Sequence, residues 1–314
     1  MIEARGLTKR YGDTLAVDDL SFTVEPGRVT GFLGPNGAGK TTTMRLILGL
    51  DRPTAGTVTV NGQPFTASLA PMRAVGALLD AKAVHGGRSA RDHLLCLAQT
   101  NNLPARRVDE VLDLVGLSSV AGKRSRGFSL GMGQRLGIAA ALLGDPAVLM
   151  FDEPVNGLDP EGILWIRTLI KRLAAEGRAV FVSSHLMSEM ENTADHLIVI
   201  GKGRLIADCP MAGFLAQGSR AAVRVRTPDP ERLAVLVTAD GGTIRDDGDG
   251  RLVVAGLPPE RIGDLAYENG VRLHELAAAQ ASLEQAFMEL TGAAVEFRAG
   301  RQHADDDILT GSGV

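Results

Sequence analysis

A glycine-rich stretch at 34–41, GPNGAGKT, has the residue types and the spacing that bind phosphate. It matches the pattern G-x-x-x-x-G-K-[ST] and stands between an apolar strand-like run, RVTGFL, and a helix-like run, TTTMRLILGL. Glycines let the backbone aim N–H groups at phosphate oxygens, and the amino terminus of a helix adds partial positive charge. A glycine-rich turn without a ligand is the alternative, and the flanking strand and helix disfavour it.

Two side chains of this stretch can act directly on a polyphosphate. The Lys40 ammonium is expected to reach the β- and γ-phosphates, and the Thr41 hydroxyl to ligate Mg²⁺. The predicted nucleotide-binding set here comprises Gly34, Pro35, Asn36, Gly37, Ala38, Gly39, Lys40, Thr41 and Thr42.

An acidic pair follows an apolar run at 148–154, VLMFDEP. The apolar residues predict a strand buried on both faces, with Asp152 at its end as a candidate Mg²⁺ ligand. Glu153 next to it can polarise an attacking water as a general base. An acidic pair that caps a turn is the alternative, but the phosphate loop upstream makes phosphoryl transfer the better interpretation.

A second strand-like run, AVFVSSH, ends in His185. Ligands bind at the carboxyl ends of strands in open α/β sheets, so His185 is a candidate contact for a γ-phosphate. A solvent-exposed or capping histidine is the alternative, and we apply that interpretation to the other five histidines. A third segment, FSLGMGQR at 128–135, precedes an apolar helical run, and Ser129 is well suited to cap that helix.

Composition limits the function classes. A chain of 314 residues suggests two domains, and 45% hydrophobic and 22% charged residues predict a packed core. The net charge of −4 gives no global reason to expect nucleic-acid binding. Two cysteines, Cys96 and Cys209, form no disulfide framework, which favours a reducing cytoplasm. We expect neither a signal peptide nor a membrane-spanning run.

The elements that must position these residues occupy the first two thirds of the chain. The expected elements are strands at 14–24 and 28–33, a hairpin around 57–62, helices between 90 and 143, buried parallel strands at 147–151 and 179–184 with a crossover helix between them, and a hairpin around 201–203. No internal repeat is visible, so one nucleotide site per chain is expected.

The pattern of predicted strands and helices changes after residue 208. From 222 the order is strand, helix, strand, strand, helix, strand, which is the ferredoxin-like order, and the last of these strands is expected at 271–276. A final helix at 282–292 and a polar, disordered end are also expected. The predicted boundaries are 1–217 for the nucleotide-binding domain, 220–298 for a small accessory domain and 299–314 for the disordered tail.

The ordered set GPNGAGKT, FSLGMGQR, VLMFDEP, NGLDP and SSH resembles the ATP-binding subunits of ABC transporters over residues 2–208. The resemblance implies an α/β P-loop NTPase domain with a β-rich amino-terminal subdomain and a helical signature subdomain. The small α+β ferredoxin-like domain follows it. ATP and Mg²⁺ are the implied cofactors.

The resemblance also assigns roles to single residues. Asp152 and Glu153 match the Walker B aspartate and the catalytic glutamate, His185 the switch histidine and Asp159 the D-loop aspartate. In the family, the residues that map to Ser129 and Gly131 hold the γ-phosphate bound to the opposite subunit. Tyr11 matches the aromatic that stacks on adenine, although a core or turn tyrosine is the alternative.

This sequence departs from the family pattern at two positions. Asp80 stands where the family has a glutamine that senses magnesium and the membrane partner, and a carboxylate cannot donate a hydrogen bond as an amide can. Asp80 as a nucleotide-site residue and Asp80 as an ordinary strand-end residue remain equally open. Leu130 replaces the first glycine of the signature, which is tolerable if its side chain points away from the phosphate.

LGMGQRLGIAAALL, DEPVNGLDPEG and the small carboxyl-terminal domain resemble exporters of the bacitracin- and daunorubicin-resistance type. This implies a homodimeric ATPase that drives a separate integral-membrane permease from the cytoplasmic face of the membrane, without nucleic acid. The loop at 82–93 is expected to meet the permease, with a solvated loop as the alternative. A related ATPase of ribosomes or DNA lacks support, since the chain has neither two cassettes nor long coiled coils. An ATP-switched regulatory or self-resistance protein remains the alternative function.

Overall fold

The computed structural model describes residues 1–80, 83–218, 222–248 and 251–279, together with positions 283 and 287. The chain divides into two compact units, Met1–Met211 and Ala212–Val314. The predicted boundaries at 217 and 220 stay a prediction. Within the described residues, no helix has the length and apolar character needed to cross a membrane.

The elements of the first unit alternate between strands and helices. In chain order they are β1 (Ile2–Tyr11), β2 (Thr14–Val24), β3 (Val29–Leu33), α1 (Lys40–Ile47), β4 (Ala55–Val60), α2 (Pro71–Ala74), β5 (Val75–Leu78), α3 (Ala90–Thr100), α4 (Arg106–Leu114), α5 (Leu130–Leu142), β6 (Val148–Asp152), α6 (Pro160–Ala175), β7 (Ala179–Ser184), α7 (Met187–Glu191), β8 (His196–Gly201) and β9 (Arg204–Pro210). Helix α8 (Met211–Gly218) follows.

A six-stranded sheet in the order β5-β6-β7-β3-β8-β9 forms the centre of this unit. Its first five strands are parallel, and β9 pairs antiparallel with β8. The strands β3 and β7 are buried along their whole length, which explains their continuous apolar composition. Parallel strands bring their carboxyl ends to one edge, so the loops after β3, β6 and β7 meet there. The predicted parallel strands and the β8–β9 hairpin are confirmed.

A three-stranded antiparallel sheet, β2-β1-β4, packs over this centre. Phe22 of β2 contacts Phe32 and Phe181 of the parallel sheet, with ring centroids 5.9 and 5.7 Å away. The expected hairpin at 57–62 is wrong. Strand β4 pairs with β1 instead, and the turn after Val60 closes only a single bridge to Gln63.

Helices α3, α4 and α5 come between β5 and β6 in the sequence. Ser89 caps α3 by accepting from the Asp92 amide, and Ser129 caps α5 by accepting from the Met132 amide at 3.2 Å. The predicted cap at Ser129 is therefore confirmed. Since α3 begins at Ala90, the loop expected at 82–93 is shorter than predicted.

The second unit contains β10 (Ala222–Arg226), α9 (Pro230–Ala239), β11 (Thr243–Gly248), β12 (Arg251–Ala255), α10 (Pro259–Glu268) and β13 (Glu275–Ala279). Its four strands form an antiparallel sheet in the order β11-β12-β10-β13, and apolar residues of α9 and α10 bury its inner face. The predicted βαββαβ order is confirmed.

One detail of the second unit corrects the sequence prediction. The strand expected at 271–276 begins only at Glu275, because Val271 packs into the core beside α10 and the ladder starts after His274. The predicted final helix and the predicted tail lie outside the described residues, apart from Leu283 and Phe287, which are helical.

Candidate functional site

The loop between β3 and α1 has the geometry that its glycines predict. Gly37 and Gly39 have φ angles of 79° and 103°, in the region that side chains rarely adopt. A Cβ atom at Gly39 would lie 2.5 Å from the Ala16 carbonyl oxygen, and one at Gly34 would lie 2.6 Å from the Ile200 carbonyl oxygen. The loop is therefore closely packed, and the first turn of α1 opens directly from it.

Lys40 is the first residue of α1 and is only 7% exposed. Its ammonium donates to the Gly34 carbonyl at 2.7 Å and to the Pro35 carbonyl at 3.3 Å. The same ammonium lies 3.7 Å from Oε1 of Glu153. A largely buried cation thus stands between the phosphate loop and the acidic pair, where it can neutralise phosphate charge.

Asp152 is the last residue of β6 and joins two hydroxyls. Its Oδ2 accepts from Thr41 Oγ1 at 2.7 Å, and its Oδ1 accepts from the Ser183 hydroxyl. A hydroxyl and a carboxylate oxygen side by side are hard donors of the kind that Mg²⁺ prefers. In the described ranges no group of three or more His, Cys, Asp or Glu side chains could hold a metal ion. The Thr41 hydroxyl and the Asp152 carboxylate are thus the pair of oxygen donors that fits Mg²⁺ here.

Glu153 follows directly and has a φ angle of 50°, which is uncommon for a residue with a side chain. Its amide donates to Ser183 Oγ at 3.0 Å. Its carboxylate lies 2.8 Å from Nδ1 of His185, between that imidazole and the Lys40 ammonium. Uncommon backbone conformations are often found at functional sites, and here the carboxylate of this residue lies beside the ammonium of Lys40.

The structure thus brings together five of the predicted site residues through direct contacts: Lys40, Thr41, Asp152, Glu153 and His185. The sequence prediction missed Ser183, which bonds both members of the acidic pair. The pairing of β6 with β7 places Ser183 opposite Asp152. The only sequence feature that indicated this role was the pair of consecutive serines at the end of an apolar strand-like run.

The segment 128–135 lies at the start of α5, and Arg135 at its end donates to the Val115 carbonyl at 3.0 Å. Ser129 Oγ serves its own helix as the amino-terminal cap. The Leu130 side chain is 47% exposed and lies against Gly157, where a Cβ atom would come within 2.0 Å of Leu130 Cδ2. A Cβ atom at Gly131 would lie 3.3 Å from Leu158 Cδ2. This segment therefore packs on the NGLDP turn of the same chain.

Asp159, the last acidic residue of that turn, has a defined local role. Its Oδ1 accepts from the Gly162 amide at 2.9 Å and caps α6. Its assignment to a nucleotide site stays a prediction. The contacts of Ser129 and Asp159 are both with their own helices.

Tyr11 belongs to a polar network around Asp51. The Tyr11 hydroxyl donates to Asp51 at 2.8 Å, Arg45 Nε donates to the same carboxylate at 2.7 Å, and Lys9 lies 4.7 Å from the tyrosine ring centroid. Hydrogen bonding from Arg45 lowers the pKa of Asp51, and burial raises the pKa of Tyr11. One edge of the ring is thereby fixed while 45% of the residue stays exposed.

Asp80 lies two residues beyond the end of β5. Strand β5 is parallel to β6, so Asp80 is on the same edge of the sheet as the acidic pair. Its assignment to the nucleotide site stays a prediction.

Comparison with protein families yields two matches. The ABC transporter family matches residues 17–156, and a domain family of unknown function matches residues 221–284. The bacitracin transport ATP-binding protein BcrA of Bacillus licheniformis is 37% identical over 93% of this chain and 97% of its own length. The Nod factor export ATP-binding protein I of Burkholderia lata is 34% identical over 93% of this chain and 97% of its own.

Solved structures agree on the fold. An ATP-binding subunit of an ABC transporter superposes with a TM-score of 0.63 at 26% identity, over 69% of this chain and 92% of that one. A bacterial ABC transporter cassette solved as a dimer gives a TM-score of 0.62 at 23% identity, over 67% of this chain and 99% of that one. The predicted α/β nucleotide-binding fold is confirmed.

Proposed function

Because the chain belongs to the family of ABC transporter ATP-binding subunits, we propose that it powers an exporter through ATP-dependent dimerisation. As a member of that family it is an ATPase. The partner in this proposal is a separate integral-membrane permease, and the subunit acts at the inner face of the membrane. The observation that carries the proposal is the contact of Glu153 with both Lys40 and His185.

In the proposed mechanism, the loop amides and Lys40 bind the β- and γ-phosphates of ATP. Glu153 acts as general base by orienting a water molecule toward the γ-phosphate and taking up its proton. His185, hydrogen-bonded to Glu153, fixes the direction of that carboxylate and contacts the γ-phosphate. Phosphoryl transfer needs little covalent chemistry from the protein, so this positioning is the main contribution.

Thr41 and Asp152 are the residues that would hold Mg²⁺. Bound there, the ion would neutralise charge on the transferred phosphoryl group. Asp152 is itself held by Ser183 and Thr41, so its carboxylate needs little rearrangement.

Dimerisation is proposed because Ser129 and Gly131 match the residues that, in the family, hold the γ-phosphate bound to the opposite subunit. Ser129 presents its hydroxyl at the amino terminus of α5, where backbone N–H groups and partial positive charge favour an anion. The γ-phosphate bound by a second copy would supply that anion. Gly131, in the first turn of the same helix, would add its N–H group.

The export direction is supported by the relatives, whose names refer to bacitracin transport and Nod factor export. A surface cavity of about 390 Å³ lies between the loop before α3 and the signature segment, and Val84, Gly86, Phe128 and Leu130 contribute to its lining. We propose this cavity as the contact for a permease segment, since it touches both the signature and the β5–α3 loop.

The test is the substitution Glu153→Gln, which keeps the size of the side chain but removes its basicity. We expect ATP turnover to fall by about a hundredfold or more. ATP should convert the variant into a stable dimer in size-exclusion chromatography, since bound nucleotide is no longer consumed. Glu110→Gln, at an exposed carboxylate of α4, is the control and should keep wild-type turnover. Turnover at the wild-type rate in Glu153→Gln would contradict the proposed base.

A further inference from the structure

Ser183 lies at the centre of the site and is the first residue of the motif SSH, in which the sequence assigned a role to His185 alone. It is fully buried, on the strand between β6, which ends in the acidic pair, and β3, which leads into the phosphate loop. Residues 179–182 of the same strand, AVFV, are apolar. A hydroxyl at such a position costs free energy unless it is fully hydrogen-bonded.

The Ser183 hydroxyl makes two different bonds. It donates to Oδ1 of Asp152, and it accepts from the amide of Glu153 at 3.0 Å. One side chain therefore contacts the carboxylate of the first acidic residue and the backbone of the second. Strand register fixes this arrangement, because Asp152 and Ser183 are paired across β6 and β7.

The bond to Asp152 determines which carboxylate oxygen faces the phosphate loop. With Oδ1 held by Ser183, Oδ2 is directed to the Thr41 hydroxyl at 2.7 Å. Without the serine, Asp152 could rotate about its side-chain bonds and separate from Thr41. The proposed Mg²⁺ donor pair would then have to be assembled on binding.

The bond to Glu153 stabilises an uncommon backbone. At a φ of 50°, the Glu153 amide points toward β7 and would be an unpaired donor without the serine. That backbone conformation also directs the carboxylate to His185 and Lys40. Loss of the bond would leave a partly buried amide without this partner and relax the conformation.

We propose that Ser183 is a positioning residue that sets both the Mg²⁺ donor Asp152 and the base Glu153. This inference rests on the proposed function of those two residues. A single hydroxyl holds both the proposed Mg²⁺ donor and the proposed base, and it thereby couples metal binding to the orientation of the base. A serine with a purely structural role in its own strand would affect neither Mg²⁺ binding nor the orientation of Glu153.

The chain provides a matched control in Ser184. This neighbour is equally buried, but its hydroxyl accepts from the Leu186 amide at 2.9 Å and stabilises only the local turn. Ser183→Ala and Ser184→Ala therefore remove the same group from adjacent positions. Ser183→Thr keeps the hydroxyl, and Ser183→Cys replaces it with a weaker hydrogen-bonding group in case the extra methyl of threonine prevents folding.

The first readout does not require turnover. The affinity for a non-hydrolysable ATP analogue is measured by fluorescence titration in full-length protein, with Mg²⁺ and with EDTA. In Ser183→Ala, we expect the gain in affinity due to Mg²⁺ to fall by about threefold or more while the affinity in EDTA stays unchanged. Ser184→Ala should behave as wild type, and Ser183→Thr should regain most of the Mg²⁺ effect.

The second readout is steady-state hydrolysis. Ser183→Ala should lower kcat by about tenfold or more with little change in KM, and Ser183→Cys should lie between alanine and serine. Equal behaviour of Ser183→Ala and Ser184→Ala in both readouts would overturn the inference. Wild-type protein that bound the analogue with Mg²⁺ but failed to hydrolyse ATP would instead contradict the proposed function. The Mg²⁺ readout would still decide the role of Ser183.

Discussion

Two parts of the first unit contain the predicted nucleotide-site residues, and they differ in the partners of their polar groups. We call residues 34–42 with Asp152, Glu153 and His185 the phosphate half, and residues 128–135 the signature half. In the phosphate half, Lys40, Asp152 and Glu153 contact one another or shared partners within the chain. In the signature half, the Ser129 hydroxyl caps α5 by accepting from the Met132 amide, and Leu130 is 47% exposed. The residues of the phosphate half contact one another, while Ser129 and Leu130 of the signature half are exposed.

This difference is informative about mechanism. Groups held by hydrogen bonds within the chain need little rearrangement, which is how electrostatic preorganisation lowers a barrier. The signature half also has contacts that fix its position in its own chain, because Leu130 lies on Gly157 and Ser129 caps α5. Its N–H groups nevertheless point to no anion of the described chain. We infer that a second copy supplies the phosphate, so closure rather than folding completes the site.

The largest expected effect comes from blocking the signature half alone. Ser129→Arg removes the cap of α5 and puts a bulky cation where the partner's phosphate would lie. ATP turnover should fall by about a hundredfold or more, since an essential phosphate donor is lost. ATP binding to the intact phosphate half should stay within about twofold of wild type.

The control is Ser118→Arg, at an exposed serine between α4 and α5. This variant should keep both the ATP binding and the ATP turnover of the wild type. Turnover is measured by phosphate release and binding by nucleotide fluorescence. A loss of ATP binding in Ser129→Arg would show that the two halves are not separate.

A smaller effect is expected where the signature half packs on its own chain. A methyl group at Gly157 would collide with Leu130 Cδ2 and would need a φ of 73°. Gly157→Ala should therefore lower the free energy of unfolding by about 1–3 kcal/mol and reduce turnover by about tenfold.

Leu130→Ala should restore part of that loss in the double variant, because it removes the collision but not the strained backbone. Gly127→Ala has open space around it and is the matched control. Chemical denaturation measures stability, and additive effects of Gly157→Ala and Leu130→Ala would contradict the contact.

The smallest expected effect is a pH dependence of helix α3, which precedes the signature half in the chain. Burial, with a contribution from the Arg88 charge, lowers the pKa of His93 on α3 below its ordinary value of 6.5. The unfolded chain thus binds a proton before the folded one as the pH falls. The resulting stability is present above about pH 6.5 and is lost as the pH drops through the folded pKa.

Hydrogen exchange between pH 7 and pH 5 tests this difference. Amides of residues 90–100 should lose protection at the lower pH more than amides of β7 after correction for intrinsic rates. His93→Gln, which cannot gain charge, should remove the extra loss. Equal loss in His93→Gln and wild type would contradict the assignment to His93.

The same comparison explains which features the sequence predicted. The phosphate half follows from contiguous motifs at strand ends, because parallel strands place 34–41, Asp152 and His185 at one edge. Ser183 stands in the quoted motif SSH, but its role was missed because both of its bonds cross from β7 to the residues at the end of β6. The mispredicted hairpin at 57–62 shows the same limit, since the partner of β4 is the distant β1.

Strand β1 itself gave a weak signal for a physical reason. Gly6 has a φ of 57°, and the pairing with β2 shifts register three times along its length. Such irregularities break the alternation of apolar and polar residues on which strand prediction depends. For the signature half, the sequence indicated the helix and its cap, but not that Leu130 lies on Gly157. That packing joins segments separated by β6.

The central claim, that each site is formed by two copies, is tested most directly by mixing two inactive variants. Lys40→Ala disables the phosphate half and Ser129→Arg disables the signature half. In a mixed dimer of a two-fold symmetric pair, one site has both defects and the other has none. We predict that the mixture recovers about a quarter of the wild-type ATP turnover, since half of the dimers are mixed and each has one intact site. A mixture as inactive as either parent, although mixed dimers are present, would contradict the account.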